Sequence, residues 1–170
     1  MVSPASLHLR PVVPSDIEAL FQIQLDPKGN ALAGTKPRDR DTFEGIWNRI
    51  LTDPTTRDST VARAIIAERD GEGVLVGSIN IFRRDDLDFV GYWIDGAGGY
   101  WGKGYAGRAL ALLLEEVPPP LRRPLHARVA AHNAASLRVL ERNGFVITGR
   151  EHSPETERFL ACEEVMLMLA

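Results

Sequence analysis

The segment with the most suggestive chemistry is the glycine-rich stretch WGKGYAG at residues 101–107, which leads directly into an apolar helix-forming sequence. Glycine permits sharp turns and lets a backbone approach a ligand closely. Backbone N–H groups at the start of a helix, together with the positive end of its dipole, form a natural binding site for phosphate or pyrophosphate. Most glycine-rich turns bind nothing, so the interpretation depends on what else the sequence contains.

A second segment, NAASLRVLERNGF at residues 133–145, has the features of a helix with both ends defined. Asn133 is a residue type that caps the start of helices, and Gly144 suits the left-handed conformation that often ends them. Ser136 falls in the first turn, where its hydroxyl group either hydrogen-bonds nearby backbone or faces a ligand. One predicted helix and one predicted strand separate this segment from the glycine-rich loop.

The composition is that of an ordinary globular protein. The 170 residues are 44% hydrophobic and 25% charged, with a formal net charge of −3. This length suits a single domain, residues 1–170, with its own hydrophobic core. The slightly acidic balance argues against a nucleic-acid partner, because such proteins usually present a basic face.

Compartment and metal content are also constrained. No apolar run reaches the length of a membrane span, and the first residues lack the apolar core of a signal peptide. Cys162 is the only cysteine, which excludes an intrachain disulfide and a cysteine-based metal cluster, and the four histidines are scattered. We therefore predict a cytoplasmic protein with no membrane partner and no metal.

The hydrophobic pattern predicts the elements that position these segments. Strands are predicted at residues 7–10, 61–67, 74–82, 88–95, 125–130, 145–148 and 164–169, with a hairpin turn at residues 70–73. Helices are predicted after Asp16, around residues 43–51, from the glycine-rich loop to about Val117, and at residues 134–143. Residues 26–41 contain proline and glycine and are predicted to form a surface loop. This order indicates an α+β, or mixed α/β, protein with helices on both faces of its sheet.

Three segments in this order resemble the GNAT superfamily of N-acetyltransferases: Tyr92-Trp93-Ile94, the glycine-rich loop and residues 133–145. The resemblance covers nearly the whole chain and is greatest to the branch that acetylates the N-termini of ribosomal proteins. It implies one acetyltransferase domain with a curved, mostly antiparallel central sheet, and a site for acetyl-coenzyme A (acetyl-CoA) as co-substrate.

The resemblance also implies which residues bind the co-substrate. Backbone amides of the loop would hold the pyrophosphate, at Gly102, Lys103, Gly104, Tyr105, Ala106 and Gly107. Trp93 and Ile94 would hydrogen-bond the pantetheine arm through backbone groups, and Asn133 would anchor that arm. The Lys103 side chain is either a phosphate ligand or simply solvated. Trp101 departs from the family pattern, which usually has glutamine or arginine there.

Ser136 is the predicted catalytic residue. Many members of the superfamily carry a tyrosine seven residues after the asparagine, as the general acid for the departing thiolate; here that position is Leu140. Ser136 matches the serine that the ribosomal-protein branch carries instead. Because a thiol has a pKa of only about 8.5, a hydrogen bond from a hydroxyl group is sufficient to stabilise the leaving group. The alternative is a serine that only bonds its own helix.

The general base is not identified. The branch usually has a glutamate on the strand before the glycine, and this chain has Phe89 there. Other titratable candidates are Asp86, Asp88, Glu115, His132 and Glu163. An α-amino group, with a pKa of about 7.8, needs less help to lose its proton than a lysine at about 10.4. We therefore predict direct acetyl transfer to a protein or peptide α-amine.

Other functions remain open at the level of sequence. A small-molecule amine, such as an aminoglycoside or an amino acid, is the second candidate acceptor, and a non-catalytic acyl-CoA sensor is a third reading. Residues 26–41 and 150–158 are polar and are predicted to flank the acceptor site, unless they are merely solvated loops. Their acidic members would attract a cationic amine: Asp39, Asp41, Glu155 and Glu157. The chain is expected to be a monomer or homodimer.

Overall fold

Seven strands form one sheet in the computed structural model, which describes residues 6–170. In sequence they are β1 (Leu7–Pro11), β2 (Val61–Arg69), β3 (Glu72–Arg84), β4 (Leu87–Ile94), β5 (Leu125–Ala130), β6 (Val146–Ser153) and β7 (Cys162–Leu169). Their order across the sheet is β1-β2-β3-β4-β5-β7-β6, and only β4 and β5 are parallel neighbours. The predicted mixed α+β architecture with a mostly antiparallel sheet is confirmed. Residues 1–5 of the predicted domain lie outside the described residues.

Helices cover both faces of this sheet. They are α1 (Ile17–Gln24), α2 (Pro27–Ala33), α3 (Arg40–Thr52), α4 (Pro54–Ser59), α5 (Tyr105–Glu116) and α6 (Ala134–Arg142). Successive strand residues point to opposite faces. Ile65 therefore packs in one hydrophobic cluster with residues of α5 and α6, whereas Ala64 and Ile66 pack with residues of α1 and α3. Over residues 6–170, no helix is long and apolar enough to cross a membrane.

The prediction of a loop over residues 26–41 is wrong, because this segment contains α2 and the start of α3. Asp26 caps α2 by accepting from the Lys28 amide at 3.1 Å, Pro27 opens the helix, and Gly34 ends it with a φ of 68°. Proline at the first helical position and glycine at the end are regular helix boundaries. The residues that suggested a loop are the start and stop of a short helix.

The sheet opens between β4 and β5. These parallel strands pair only through Asp88 with Leu125 and Phe89 with His126. Beyond these pairs, the carboxyl-terminal half of β4 pairs with no strand on the β5 side among residues 6–170. The strands therefore diverge toward their carboxyl ends and leave a cleft in the middle of the sheet.

Candidate active site

A cavity of about 400 Å³ lies where β4 and β5 diverge. The end of β4, the glycine-rich loop, the start of α5, α6 and the inner side of α2 form its walls. Of the residues predicted from the sequence, the cavity is lined by Trp93, Ile94, Gly102, Gly104, Tyr105, Ala106, Gly107, Asn133 and Ser136. Lys103 does not belong to the lining.

Backbone atoms of the glycine-rich loop form part of the cavity wall, because its glycines have no side chains. Gly102 and Gly104 have φ values of 72° and 82°, and a Cβ on either would meet no atom within 4 Å. Glycine is therefore needed for the left-handed conformation and not for space. Gly104 precedes the first residue of α5, and its carbonyl accepts from the Arg108 amide at 3.1 Å. The first amides of α5 have no acceptor within the helix, which suits them to an anion.

Trp101 ties this loop to the end of β4. Its indole Nε1 donates to the Ile94 carbonyl at 2.9 Å, and its ring lies so close to Gly96 that a Cβ there would be 2.4 Å away. The residue that departs from the family pattern thus holds the loop in place. The same hydrogen bond engages one of the two lone pairs of the Ile94 carbonyl, a group predicted to face the pantetheine arm.

The end of β4 approaches β3 very closely at Trp93. The Trp93 carbonyl oxygen lies 2.0 Å from the position that a Cβ of Gly77, on β3, would take. The Trp93 indole Nε1 donates to the Ile23 carbonyl at 3.2 Å, and its ring packs on Gly29 of α2. The side chain therefore fixes α1 and α2 to the sheet.

Ser136 and Tyr92 meet inside the cavity. Asn133 caps α6, accepting through Oδ1 from the Ser136 amide at 3.2 Å. The Ser136 Oγ lies 2.5 Å from the hydroxyl oxygen of Tyr92, and both residues line the cavity. Burial raises the pKa of Tyr92 to about 12, although the hydrogen bond with Ser136 opposes this shift. Tyr92 was not predicted as a site residue; the available signal was that strand alternation puts it on the same face as Ile94.

Two arginines were also missed. Arg138 and Arg142 lie one helical turn apart on α6 and line the same cavity as the glycine-rich loop. Neither forms an ion pair with another residue of the described range 6–170. Guanidinium groups bind phosphate through paired hydrogen bonds. The cavity lining therefore combines positive charge with the start of a helix.

A family model, described as the acetyltransferase (GNAT) domain, matches residues 6–146, most of the chain. The chain belongs to the GNAT acetyltransferase family. No curated protein matches it. The resemblance on which the sequence analysis relied is therefore confirmed at the level of the superfamily.

Solved acetyltransferase structures share the fold of this GNAT protein. One from Agrobacterium tumefaciens is 23% identical, with 96% of this chain and 90% of that chain covered and a TM-score of 0.72. The Salmonella typhimurium enzyme that modifies the N-terminal serine of a 50S ribosomal subunit protein is 21% identical. The match covers 96% of this chain and 94% of that chain, with a TM-score of 0.73. Spermidine N-acetyltransferase from Vibrio cholerae, solved with CoA and spermine, is 16% identical. The match covers 95% of each chain, with a TM-score of 0.73. At these identities the likeness concerns the fold alone.

The described lining of this GNAT cavity contains no carboxylate and no imidazole. None of the candidate bases belongs to it: Asp86, Asp88, Glu115, His132 and Glu163. Asp88 is paired with Arg122 at 3.0 Å, and Glu163 with Arg150 at 3.5 Å. At the position where the family branch usually has a glutamate, Phe89 packs against Phe82 and a histidine ring. The side chains at hand are suited to stabilising a leaving group rather than to removing a proton.

The two segments predicted to flank the acceptor meet each other. Thr35 bridges to Phe159, and the Lys36 amide donates to the Arg158 carbonyl at 2.8 Å. Two of the acidic side chains are engaged within the protein, because Asp39 caps α3 through the Thr42 amide and Glu155 pairs with Lys36.

Two half-buried arginines in these segments have no carboxylate partner among residues 6–170. They are Arg38 and Arg158. The Arg158 guanidinium donates to the Lys36 carbonyl. Burial and the charge of Arg38 lower the pKa of Arg158 to about 10, and burial lowers that of Arg38. The two positive charges therefore lie close enough to repel each other.

Proposed function

We propose that this GNAT protein is an acetyl-CoA-dependent N-acetyltransferase that transfers the acetyl group directly to a protein or peptide α-amine, as the ribosomal-protein branch does. One observation carries the proposal: the cavity offers hydroxyl groups, backbone amides and guanidinium groups but no described acid or imidazole. Such a site binds a thioester of a phosphorylated carrier and assists departure of its thiolate. It gives little help in deprotonating a strongly basic amine.

The residues that line the cavity fit the co-substrate. Free amides at the start of α5 and the guanidinium groups of Arg138 and Arg142 suit its phosphates. Asn133 and the backbone of β4 beyond its pairing with β5 suit the amide groups of the pantetheine arm. Lys103 lies between two lining residues but does not itself line the cavity, so we assign its side chain no contact with the co-substrate. When bound, the co-substrate supplies an activated acetyl group.

We assign two roles to the chain in the reaction: it positions the two substrates, and it stabilises the leaving group. Holding the amine beside the thioester turns a bimolecular reaction into one within a single complex, which provides much of the acceleration. The Ser136 hydroxyl stabilises negative charge on the departing sulfur, in the way that preorganised donors stabilise developing anions. No covalent enzyme intermediate is needed, and Cys162 lies outside the cavity lining.

The lack of a base in the lining favours a weakly basic acceptor. Near neutral pH about a quarter of an α-amine with a pKa of about 7.8 is uncharged, against less than about one part in a thousand of a lysine side chain. A polyamine is therefore a poorer candidate than a peptide N-terminus.

A panel of amines tests this proposal. At equal concentration and pH 7.3, we expect a peptide with a free α-amine to be acetylated more than about a hundredfold faster than the same peptide with a blocked N-terminus and a free lysine. Spermidine is expected to be as slow as the lysine peptide. Thiol release from acetyl-CoA measures the rates. For the α-amine, kcat/KM is expected to rise with pH through about 7.8 and then level off.

The panel also separates the alternatives. Fast turnover of lysine or spermidine would contradict the assigned acceptor, and fast turnover of an aminoglycoside or a free amino acid would favour a small-molecule enzyme. A rise in melting temperature with CoA, with no thiol release on any amine, would instead identify an acyl-CoA sensor. The sensor stays in consideration because Leu140 and Phe89 stand where the family usually has a tyrosine and a glutamate.

Gly104→Ala tests the pyrophosphate loop. Because Gly104 has a φ of 82°, an alanine there costs about 1–2 kcal/mol in backbone strain or shifts the first amides of α5. We expect KM for acetyl-CoA to rise about tenfold or more, measured by thiol release at varied co-substrate. Gly71→Ala is the matched control, because Gly71 has a φ of 81° in the β2–β3 turn and also has no neighbour within 4 Å. An equal rise of KM in both variants would refute the assignment.

A further inference from the structure

Tyr92 and Ser136 come from different parts of the chain and meet through their hydroxyl groups. The phenol oxygen lies 2.5 Å from Ser136 Oγ and 3.4 Å from the Ser136 backbone carbonyl. Both side chains line the cavity, and the phenol makes no other hydrogen bond to a residue of the described chain. The contact therefore places the Tyr92 hydroxyl within hydrogen-bonding distance of the Ser136 hydroxyl, the group predicted to act on the leaving group.

The direction of this hydrogen bond decides what Ser136 can do. Each hydroxyl has one proton, so a serine that donates to the tyrosine has none left for a substrate. A phenol, with a pKa near 10, is the more acidic hydroxyl and the better donor. The backbone carbonyl is a poor alternative acceptor, because 3.4 Å exceeds the usual O–H···O range of about 2.5–3.0 Å. Tyr92 therefore donates to Ser136 Oγ.

We infer that Tyr92 is a positioning residue for acetyl transfer: by donating to Ser136 Oγ, it leaves the serine proton free to point at the sulfur of the leaving group. The inference rests on the proposed function. A hydroxyl that accepts a hydrogen bond is also polarised into a stronger donor. Leu140, at the usual place of the general acid, has no proton to give. Ser136 on α6 is thus the group that contacts the leaving sulfur, and Tyr92 on β4 holds the Ser136 hydroxyl in the orientation it needs.

The reaction balances without proton loss from either residue. A C–N bond forms between the amine and the acetyl carbonyl carbon, and the C–S bond breaks with its electron pair going to sulfur. The products are the acetamide, the thiolate and one proton from the amine, which passes to water. Ser136 donates a hydrogen bond to the thiolate, and Tyr92 keeps its own proton. Because burial raises the pKa of Tyr92 to about 12, it remains a donor through neutral and mildly alkaline pH.

A double-mutant cycle tests this arrangement. Tyr92→Phe, which removes only the hydroxyl, is expected to lower kcat about tenfold, the worth of one neutral hydrogen bond, with KM for acetyl-CoA within about twofold. In a Ser136→Ala background the same change is expected to have no further effect, because the serine proton is already gone. An unchanged kcat in Tyr92→Phe, or a further tenfold loss in the double variant, would overturn the inference.

A conservative replacement distinguishes positioning from packing. A ring-fluorinated tyrosine at position 92 has a more acidic hydroxyl and is expected to keep kcat at or above that of the natural protein. If it is as slow as Tyr92→Phe, the hydroxyl is not what matters and the inference fails. The CoA-dependent rise in melting temperature checks that each variant folds and binds. Absence of turnover in the natural protein, or full activity of Ser136→Ala, would instead defeat the proposed function itself.

Discussion

Ser136→Ala is expected to lower kcat about a hundredfold while leaving KM for acetyl-CoA within about twofold. The hydroxyl contributes mainly when charge develops on the departing sulfur, so its loss raises the barrier without weakening binding of the ground state. The backbone amide of Ser136 still bonds Asn133 after the substitution, because that contact does not involve the hydroxyl. Thiol release at saturating co-substrate, with a peptide α-amine as acceptor, measures the effect.

The control for this variant is Ser59→Ala. Ser59 ends α4, donates to the Thr56 carbonyl at 3.1 Å and does not line the cavity, so the same chemical change there is expected to leave kcat within about twofold. If Ser136→Ala keeps the natural kcat, Ser136 is only a helix-capping neighbour. If KM rises and kcat does not fall, the serine serves binding instead of departure of the thiolate.

The fold follows from the sequence where local signals are strong. β5 occupies the predicted residues 125–130, and the β2–β3 hairpin turns at Asp70 and Gly71 with φ values of 51° and 81°. Two consecutive positive φ values define the turn type that an Asp-Gly pair favours. The confirmed superfamily also explains why so many residues quoted from three short motifs line one cavity, since the motifs lie at the cleft between β4 and β5.

The errors arise where local signals are short or contradictory. α2 has only seven residues, too few to show a helical period, and its Pro27 and Gly34 are residues that also mark loops. The expectation that acidic residues attract the acceptor stays a prediction, and two of these residues have partners within the protein, Thr42 for Asp39 and Lys36 for Glu155. Such pairing depends on how the segments pack, which composition alone does not determine.

Contacts between distant residues were beyond the sequence altogether. Tyr92 and Ser136 are 44 positions apart, and their contact depends on how α6 packs against the end of β4. The hydrogen bond from Trp101 to the Ile94 carbonyl is a similar case, because the family pattern marks Trp101 only as a departure. In both cases the role of a side chain depends on a partner in a distant segment: Ser136 for Tyr92, and the Ile94 carbonyl for Trp101.

Gly77→Ala is expected to have the largest effect on stability and on the site together. A Cβ at this position would lie 2.0 Å from the Trp93 carbonyl oxygen, a backbone atom that cannot move without moving the end of β4. Overpacking of this kind costs about 3 kcal/mol. We expect the free energy of unfolding to fall by about that amount in urea titrations, and the rise in melting temperature with CoA to be lost.

Gly91→Ala is the matched control, because it makes the same substitution in the neighbouring strand without a clash. Gly91 lies on β4 itself, and its added Cβ would meet the Phe82 ring at 3.4 Å, an ordinary contact. We expect this variant to keep both its stability within about 1 kcal/mol and its response to CoA. A strand interior normally disfavours glycine, but Gly77 leaves room for the Trp93 carbonyl of the neighbouring strand. If Gly77→Ala binds CoA normally, the close approach of β3 and β4 at Gly77 is a feature of packing and not of the co-substrate site.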